Sequence, residues 1–173
     1  MKKYMDIASI IDHTLLRADA TEKDVAIICD EALEYGFAAV AINPANIRFA
    51  SDYLRGSKVA ICAPIGFPLG ANTTKTKIAE TVNALENGAT EIDMVINIGA
   101  LKSKELELVR NEIIGVKESI NGRALFKVIL ETCMLTDEEK IWVCKCAQEC
   151  GADFVKTSTG FHAKGATVED VML

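Results

Sequence analysis

Three charged residues lie inside otherwise apolar segments of this sequence. Asp93 stands in EIDMVIN, Lys127 in LFKVILET and Lys156 in DFVKTSTG. Burying a charge is costly unless the charge is paired or used, and three charges on neighbouring segments favour a functional site over a chance ion pair in the core. A buried lysine with a lowered pKa can attack an aldehyde as the neutral amine and form a Schiff base.

A lysine Schiff base makes neighbouring carbon–carbon bonds labile. The iminium group withdraws electrons, so the carbon next to it can act as a carbanion equivalent while a bond is made or broken. A carboxylate such as Asp93, linked through water or hydroxyl groups, can transfer the protons that this chemistry requires. The three charged residues therefore predict an enzyme that acts on an aldehyde through a lysine.

The segments around these residues alternate between two periodicities. Short apolar runs predict buried strands at residues 37–42, 58–65, 91–98, 124–130 and 153–157, with a further short strand at 12–16. Amphipathic segments predict helices at residues 21–35, 73–87, 103–120 and 136–150, with others starting at Pro44 and Thr167. Thr21 and the box from Thr136 to Glu139 have the residue types that cap helix N-termini.

Strands that alternate with helices imply βαβ units and a parallel sheet. The pattern allows an open doubly wound sheet or a TIM (β/α)8-type barrel. No GxGxxG motif follows the first strand, so the glycine fingerprint of a dinucleotide-binding open sheet is missing. A barrel builds its site at the carboxyl ends of its strands. Polar residues recur at the predicted ends: Asn43, Asn97, Glu131, Thr132, Thr157 and Ser158.

We therefore expect an α/β fold of the TIM (β/α)8-barrel type, formed by residues 1–173 as a single domain. About six of the eight βα units are recognisable, and a complete barrel takes roughly 250 residues. The expected barrel is incomplete and lacks its last two strands. Such an open barrel exposes two strand edges, which invite pairing with another chain.

The composition excludes several classes of function. The formal net charge is −6, and no cluster of Lys and Arg occurs beyond Lys2 and Lys3, which argues against nucleic acid and a membrane surface as partners. No run reaches the ~18 apolar residues of a membrane span. Asp6 and Asp12 interrupt the N-terminal apolar stretch, so we expect a short helix there rather than a signal peptide, and a cytoplasmic protein.

The six cysteines include no CxxC pair, and no histidine lies at zinc-finger spacing. Cys146 and Cys150 share one face of a predicted helix, but a metal site there lacks its remaining ligands. Buried thiols that act as small hydrophobes in a reducing compartment are the favoured interpretation. We expect no metal.

Five segments carry a family resemblance. They are DHTLL (12–16), APIGFPLGANTTKTK (63–77), EIDMVINIGAL (91–101), KVILET (127–132) and VKTSTGF (155–161). Together they resemble the deoxyribose-phosphate aldolase family over essentially the whole chain, and APIGFPLG followed by KTSTGF is the most specific combination. The resemblance implies reversible cleavage of 2-deoxy-D-ribose 5-phosphate to acetaldehyde and D-glyceraldehyde 3-phosphate, with no cofactor and no metal.

The resemblance also implies roles for individual residues. Lys156 would be the Schiff-base nucleophile, Asp93 the proton-relay carboxylate, and Lys127 a lysine that lines and tunes the same pocket. Substrate contacts are implied for four further residues: Asp12, Thr14, Thr159 and Gly160. The implied partners are the phosphosugar and aldehyde substrates and further copies of the chain in a homo-oligomer, a dimer.

The chain departs from the family pattern at its C-terminal end. The family continues into a seventh strand with a second catalytic lysine in a KxSGG motif, then an eighth strand with a phosphate-binding loop. Without that second lysine, Lys156 is expected to be more protonated and a poorer nucleophile. Three alternatives stay open: a weak or inactive aldolase-like chain with an assembly or binding role, a different Schiff-base or phosphosugar barrel enzyme, and a nucleotide-binding open sheet.

Overall fold

The computed structural model describes residues 6–173, which form one parallel β-sheet of six strands. The strands are β1 (Asp12–Leu15), β2 (Ala39–Ile42), β3 (Ala60–Ile65), β4 (Glu91–Val95), β5 (Leu125–Ile129) and β6 (Phe154–Lys156). Their order in the sheet is their order in the sequence, and every neighbouring pair is parallel. A doubly wound sheet reverses its strand order partway, so this topology confirms the barrel-type α/β fold.

Helices connect the strands and pack on the outer face of the sheet. They are α1 (Glu22–Tyr35), α2 (Ile47–Tyr53), α3 (Thr74–Glu86), α4 (Ile98–Lys102), α5 (Leu106–Ile120), α6 (Asp137–Glu149) and α7 (Val168–Met172). Three short 3-10 turns lie at Ala8–Ile10, Pro44–Asn46 and Thr132–Met134. Across residues 6–173, none of the helices is long and apolar enough to cross a membrane.

Two of the helices begin with the capping boxes that the sequence predicts. The Asp24 amide donates to Oγ1 of Thr21 (3.3 Å), and the Thr21 amide donates to the Asp24 carboxylate (2.8 Å). Thr136 and Glu139 form the same reciprocal pair at the start of α6, with distances of 3.3 and 3.0 Å. Each box satisfies N–H groups that have no partner inside the helix, which fixes where the helix starts.

The two faces of the sheet differ in chemistry. Outward-pointing residues such as Ile92 and Phe126 are fully buried against the helices and belong to the main core. The inner face carries small residues on β2 and β3, namely Ala39, Ala41 and Cys62. On β1, β4, β5 and β6 the inner face carries charged residues. Because side chains alternate along a strand, residues two apart on these strands project into the same interior.

The strand predicted at residues 91–98 is shorter than expected. β4 ends at Val95, and α4 begins at Ile98. The cause is a capping contact, because Oδ1 of Asn97 accepts a hydrogen bond from the Ala100 amide at 3.0 Å. The apolar run therefore contains the end of a strand and the first turn of a helix, and its composition alone does not separate the two.

Two further predicted boundaries differ from the structure. The helix predicted at residues 103–120 begins at Leu106, because the preceding residues complete α4 and the turn after it. The short helix predicted near the N-terminus begins outside the described residues. Within them it is limited to the 3-10 turn Ala8–Ile10, where the Ser9 hydroxyl donates to the Asp6 carbonyl at 2.7 Å.

Candidate active site

Lys156 and Asp93 meet on the inner face of the sheet. Lys156 is the last residue of β6, and its Nζ donates to Oδ2 of Asp93 on β4 at 2.6 Å. On its other side, the same amine lies 3.6 Å from Oδ2 of Asp12 on β1. Because β1 and β6 stand at opposite ends of the strand order, the contact between them shows that the sheet curls around a shared interior.

Lys127 joins this network from deeper in the interior. Its Nζ donates to Oδ2 of Asp12 at 2.8 Å and to the carboxylate of Glu91, and it lies 3.5 Å from Oδ1 of Asp93. The β4–β5 register places Lys127 directly opposite Asp93. The Lys127 amine is therefore enclosed by three carboxylates, which pair its charge inside the protein.

Glu91 is a residue of this cluster that was not predicted from the sequence. It precedes Asp93 by two positions on β4, so both side chains lie on the same face. The signal was present, because two acidic residues at positions i and i+2 of an apolar strand both require a cation. Burial raises the pKa of Glu91, although its hydrogen bond from Lys127 lowers that pKa in part.

The two carboxylate oxygens of Asp93 have different surroundings. Only 4% of the side chain is exposed, and Oδ2 is bound to Lys156. Oδ1 accepts no hydrogen bond from any of residues 6–173. Buried polar atoms without a hydrogen bond are uncommon in native proteins. The contact with the Lys127 amine at 3.5 Å is therefore an ion pair rather than a hydrogen bond.

The surroundings of the two lysines favour their charged forms. Burial lowers the pKa of Lys156, but the charge and hydrogen bond of Asp93 raise it, and the net pKa lies above the ordinary value of 10.5. Burial also opposes the charge on Lys127, while Cys62, Asp93 and the two other carboxylates raise its pKa overall. In this arrangement the lysine pKa is not lowered.

A cavity of about 80 Å³ opens at the carboxyl ends of the strands. It is lined by four of the residues that the resemblance implies: Thr14, Asp93, Lys156 and Thr159. Phe67 and Ser158 contribute further lining side chains. The cavity therefore combines an amine, a carboxylate and several hydroxyl groups, which can attack a carbonyl carbon, move protons and bind a polyol.

The remaining predicted residues lie outside the lining of this cavity. Asp12 and Lys127 lie beneath it, and together with Glu91 they line a second cavity of about 370 Å³ near the amino ends of the strands. Gly160 follows Thr159 in the loop after β6, where it is exposed and has a φ of +82°. Lys127 therefore reaches the site through Asp12 and Asp93 rather than by lining the same cavity.

A larger cavity, of about 420 Å³, lies on the outer side of β6 against α6 and α7. Lys156 borders it, but Asp12, Glu91 and Asp93 do not. Lys140 in this cavity is already paired with Asp170 at 2.6 Å. We place the candidate site in the smaller cavity, because Lys156 and Asp93 line it together at the carboxyl ends of the strands.

The cysteines lie apart from this site, with the exception of Cys62. All six are free thiols. Burial raises the pKa of Cys29 to about 11 and that of Cys146 to about 12, so both are neutral at physiological pH. In the described part of the chain, no group of three or more His, Cys, Asp or Glu residues is placed to hold a metal ion.

A curled parallel sheet with outer helices, and with lysines and carboxylates on its inner face, defines an enzyme fold of the TIM-barrel class. The fold alone does not decide the reaction, which depends on the residues of the site. The chain belongs to the DeoC/LacD aldolase family, whose family model matches residues 7–173.

Individual relatives agree with this assignment. The chain is 55% identical over 169 residues to the deoxyribose-phosphate aldolase of Bacillus cereus (strain B4264), and the match covers 98% of this chain and 76% of the relative. It is 56% identical to the deoxyribose-phosphate aldolase of Streptococcus sanguinis (strain SK36), with the same two coverages.

Solved structures of similar proteins support the same family assignment. A crystal structure described as a candidate deoxyribose-phosphate aldolase from Coccidioides immitis has a TM-score of 0.94 and 43% identity, and the match covers 96% of this chain and 65% of that one. The tetrameric deoxyribose phosphate aldolase from Aeropyrum pernix has a TM-score of 0.87 and 38% identity, covering 95% and 69%. The chain thus spans about two thirds to three quarters of the length of these relatives.

Proposed function

We propose that this chain cleaves 2-deoxy-D-ribose 5-phosphate reversibly to acetaldehyde and D-glyceraldehyde 3-phosphate, through a Schiff base at Lys156. The observation that carries the proposal is the 2.6 Å contact between Nζ of Lys156 and Oδ2 of Asp93 beside the cavity. The names of the relatives from Bacillus cereus and Streptococcus sanguinis support this substrate.

The proposed reaction begins when the neutral Lys156 amine attacks the aldehyde carbon of the open-chain sugar, and loss of water gives an iminium ion. A base then removes the proton of the 3-hydroxyl group. The bond between carbons 2 and 3 breaks, its electron pair passes to the iminium nitrogen, and D-glyceraldehyde 3-phosphate leaves. Protonation of the enamine at carbon 2 and hydrolysis of the imine release acetaldehyde and restore the amine.

Asp93 is the group best placed to move these protons. One of its oxygens already binds the Lys156 amine, and the other accepts no hydrogen bond within residues 6–173. Thr14 and Ser158 line the cavity and carry hydroxyl groups that can bind the hydroxyls of the sugar, while the Thr159 hydroxyl is already bound to Glu131. Lys127 offsets the negative charge that accumulates beneath the site.

A second candidate function is a catalytically weak chain whose role is assembly or binding. The raised pKa of Lys156 favours it, because a protonated amine cannot attack a carbonyl group. The free edge of β6 also favours it, since Phe154 and Val155 on this strand are 57% and 47% exposed. In residues 6–173 no strand pairs with that edge, and unpaired edges can pair with another chain.

The test is to trap the imine. The purified chain is incubated with deoxyribose 5-phosphate, reduced with borohydride and analysed by peptide mass spectrometry. We expect a reduced two-carbon adduct on Lys156 that is absent from Lys156→Ala and persists in Lys145→Ala, which removes an exposed lysine on α6. No adduct on the unmodified chain over a wide pH range would exclude the aldolase proposal and favour the second candidate.

We further propose that the chain forms a homo-oligomer, a dimer, in the cytoplasm. The exposed edge of β6 supports an oligomer, and the relative from Aeropyrum pernix is described as tetrameric. Light scattering during size-exclusion chromatography measures the mass directly. A stable monomer at micromolar concentration would contradict this part of the proposal.

A further inference from the structure

Glu131 adopts a conformation that is unusual for its residue type. It lies two residues after the end of β5 and has φ +57° and ψ +64°, in the left-handed region. The residue is completely buried. A side chain with a Cβ is disfavoured in this region, and such strain tends to persist where the surrounding structure uses it. The backbone conformation therefore points to a specific role for the buried carboxylate.

All of its close nitrogen and oxygen donors come from one segment, the loop after β6. Oε2 of Glu131 accepts hydrogen bonds from the Thr159 amide (3.2 Å) and from the Thr159 hydroxyl. Nδ1 of His162 lies 2.9 Å from the same oxygen. The thiol of Cys133 lies 3.8 Å from Oε1. No Lys or Arg of residues 6–173 pairs with this carboxylate, so the loop itself satisfies most of its charge.

The same loop forms one wall of the candidate site. Ser158 and Thr159 line the cavity, and the Phe161 amide donates to Oγ1 of Thr159 at 3.1 Å. The ring of Phe161 contacts the ring of Phe67 edge to face, with centroids 5.2 Å apart. Phe67 also lines the cavity. The loop is therefore fixed by two contacts, one with Glu131 through Thr159 and His162 and one with Phe67 through Phe161.

We propose that Glu131 is a positioning residue, which fixes residues 159–162 and thereby the cavity wall that Ser158 and Thr159 form. This inference rests on the proposed function for its substrate. Glu131 lies behind the loop and does not line the cavity, so it acts through Thr159 and His162.

Loss of the Glu131 carboxylate should affect acetaldehyde and deoxyribose 5-phosphate differently. Acetaldehyde has only two carbons, so its imine at Lys156 does not need the loop, whereas the five-carbon phosphosugar extends further along the cavity wall. Deoxyribose 5-phosphate does need the loop. For Glu131→Gln, we expect KM for the phosphosugar to rise about tenfold. A change of this size corresponds to the loss of one hydrogen bond to a charged group. We expect kcat and the extent of acetaldehyde trapping to change less than twofold.

Hydrogen–deuterium exchange of the full chain provides a readout that is independent of activity. In Glu131→Gln the amides of Thr159 and Phe161, which are hydrogen-bonded in this loop, should exchange about tenfold faster than in the unmodified chain. His162→Phe removes one donor from the other side of the contact and should accelerate the same segment less. Asp24→Asn is the matched control, because Asp24 accepts from the Thr21 amide at 2.8 Å at the start of α1 and should leave residues 159–162 unchanged.

A further variant separates the carboxylate from the backbone strain. Glu131→Gly permits the same φ without a Cβ but removes the acceptor, so we expect fast loop exchange in a chain that remains folded. Unchanged exchange at residues 159–162 in both Glu131 variants would overturn the inference. So would an equal loss of acetaldehyde trapping and of phosphosugar turnover. If the unmodified chain forms no adduct, the proposed function fails and the exchange comparison alone decides the role of Glu131.

Discussion

The amine of Lys156 and the carboxylate of Asp93 lie 2.6 Å apart although β5 separates their strands. This contact has two opposite effects. It places a proton carrier beside the proposed nucleophile, and it also holds the proton on the amine, because the charge of Asp93 raises the pKa of Lys156 against the effect of burial. The reactivity of Lys156 toward an aldehyde should therefore depend on pH.

The rate of imine trapping at Lys156 should rise with pH through the alkaline range. Because its pKa lies above 10.5, the neutral fraction increases about tenfold per pH unit below that value. Asp93→Asn removes the neighbouring charge and leaves burial, so the trapping profile should move to lower pH while multiple turnover falls at least about 100-fold with loss of the proton carrier. Stopped borohydride trapping between pH 6 and 11 measures the profile. A shift of the profile to higher pH in Asp93→Asn would contradict this assignment.

The buried pair Lys77–Glu112 should be costly to break from one side. Nζ of Lys77 donates to Glu112 at 2.7 Å and to the Val95 carbonyl at 2.8 Å, and both charged side chains have no exposed surface. Lys77→Met leaves the Glu112 charge unpaired, so we expect a loss of about 3–5 kcal/mol in the free energy of unfolding. In the double variant with Glu112→Gln, most of this loss should be recovered.

Urea denaturation of the two single variants and the double variant measures the coupling of this pair. Arg110 provides the control. It lies on α5, as Glu112 does, and pairs with Glu149 at 2.8 Å on the surface. Arg110→Ala should cost no more than about 1 kcal/mol. Additive effects of Lys77→Met and Glu112→Gln would show that the pair is not the source of the stability.

Much of the fold could be predicted from short stretches of sequence. Apolar runs and amphipathic segments are local patterns, so the six strands and their helices followed from periodicity. Thr21 and Thr136 were predictable as caps for the same reason. The end of β4 was not predictable, because the capping contact of Asn97 lies inside one continuous apolar run.

The candidate site was only partly predictable. Three charged residues in apolar strands could be recognised from a few neighbouring residues each: Asp93, Lys127 and Lys156. Their contacts depend on how the sheet curls, and no short segment contains that information. Glu131 illustrates the difference, because it was noted only as a polar strand end, while its partner His162 lies 31 residues further along the chain.

Gly70→Ala should disrupt the loop that carries Phe67. A Cβ added at Gly70 would lie 1.8 Å from the Ile96 carbonyl oxygen, and its φ is +67°. Gly122 has a similar φ of +71° with no atom within 4 Å of the added Cβ. Gly122→Ala should therefore cost only about 1 kcal/mol for the backbone conformation. Gly70→Ala should cost several kcal/mol more or abolish folding, as measured by urea denaturation. Equal losses would show that the contact with Ile96 relaxes freely.

Glu139 should stabilise the chain only above acidic pH. Hydrogen bonds from the Lys102 amine and the Thr136 amide lower the pKa of Glu139 from 4.5 to about 2. A group whose pKa is lower in the folded state stabilises it fully above the unfolded value. The contribution is lost as the pH falls from about 4.5 to about 2. Because the lysines at this carboxylate are 42% and 71% exposed, we expect no more than about 2 kcal/mol.

Glu139→Gln tests this pH dependence, because glutamine can still serve in a capping box but carries no charge. The difference in unfolding free energy between unmodified chain and variant should be present at pH 6 and should shrink as the pH approaches 2. Urea midpoints at several pH values measure it, with Glu118→Gln on the exposed side of α5 as the control. A difference that stays constant down to pH 2 would show that Glu139 acts by shape and hydrogen bonding alone, without its charge.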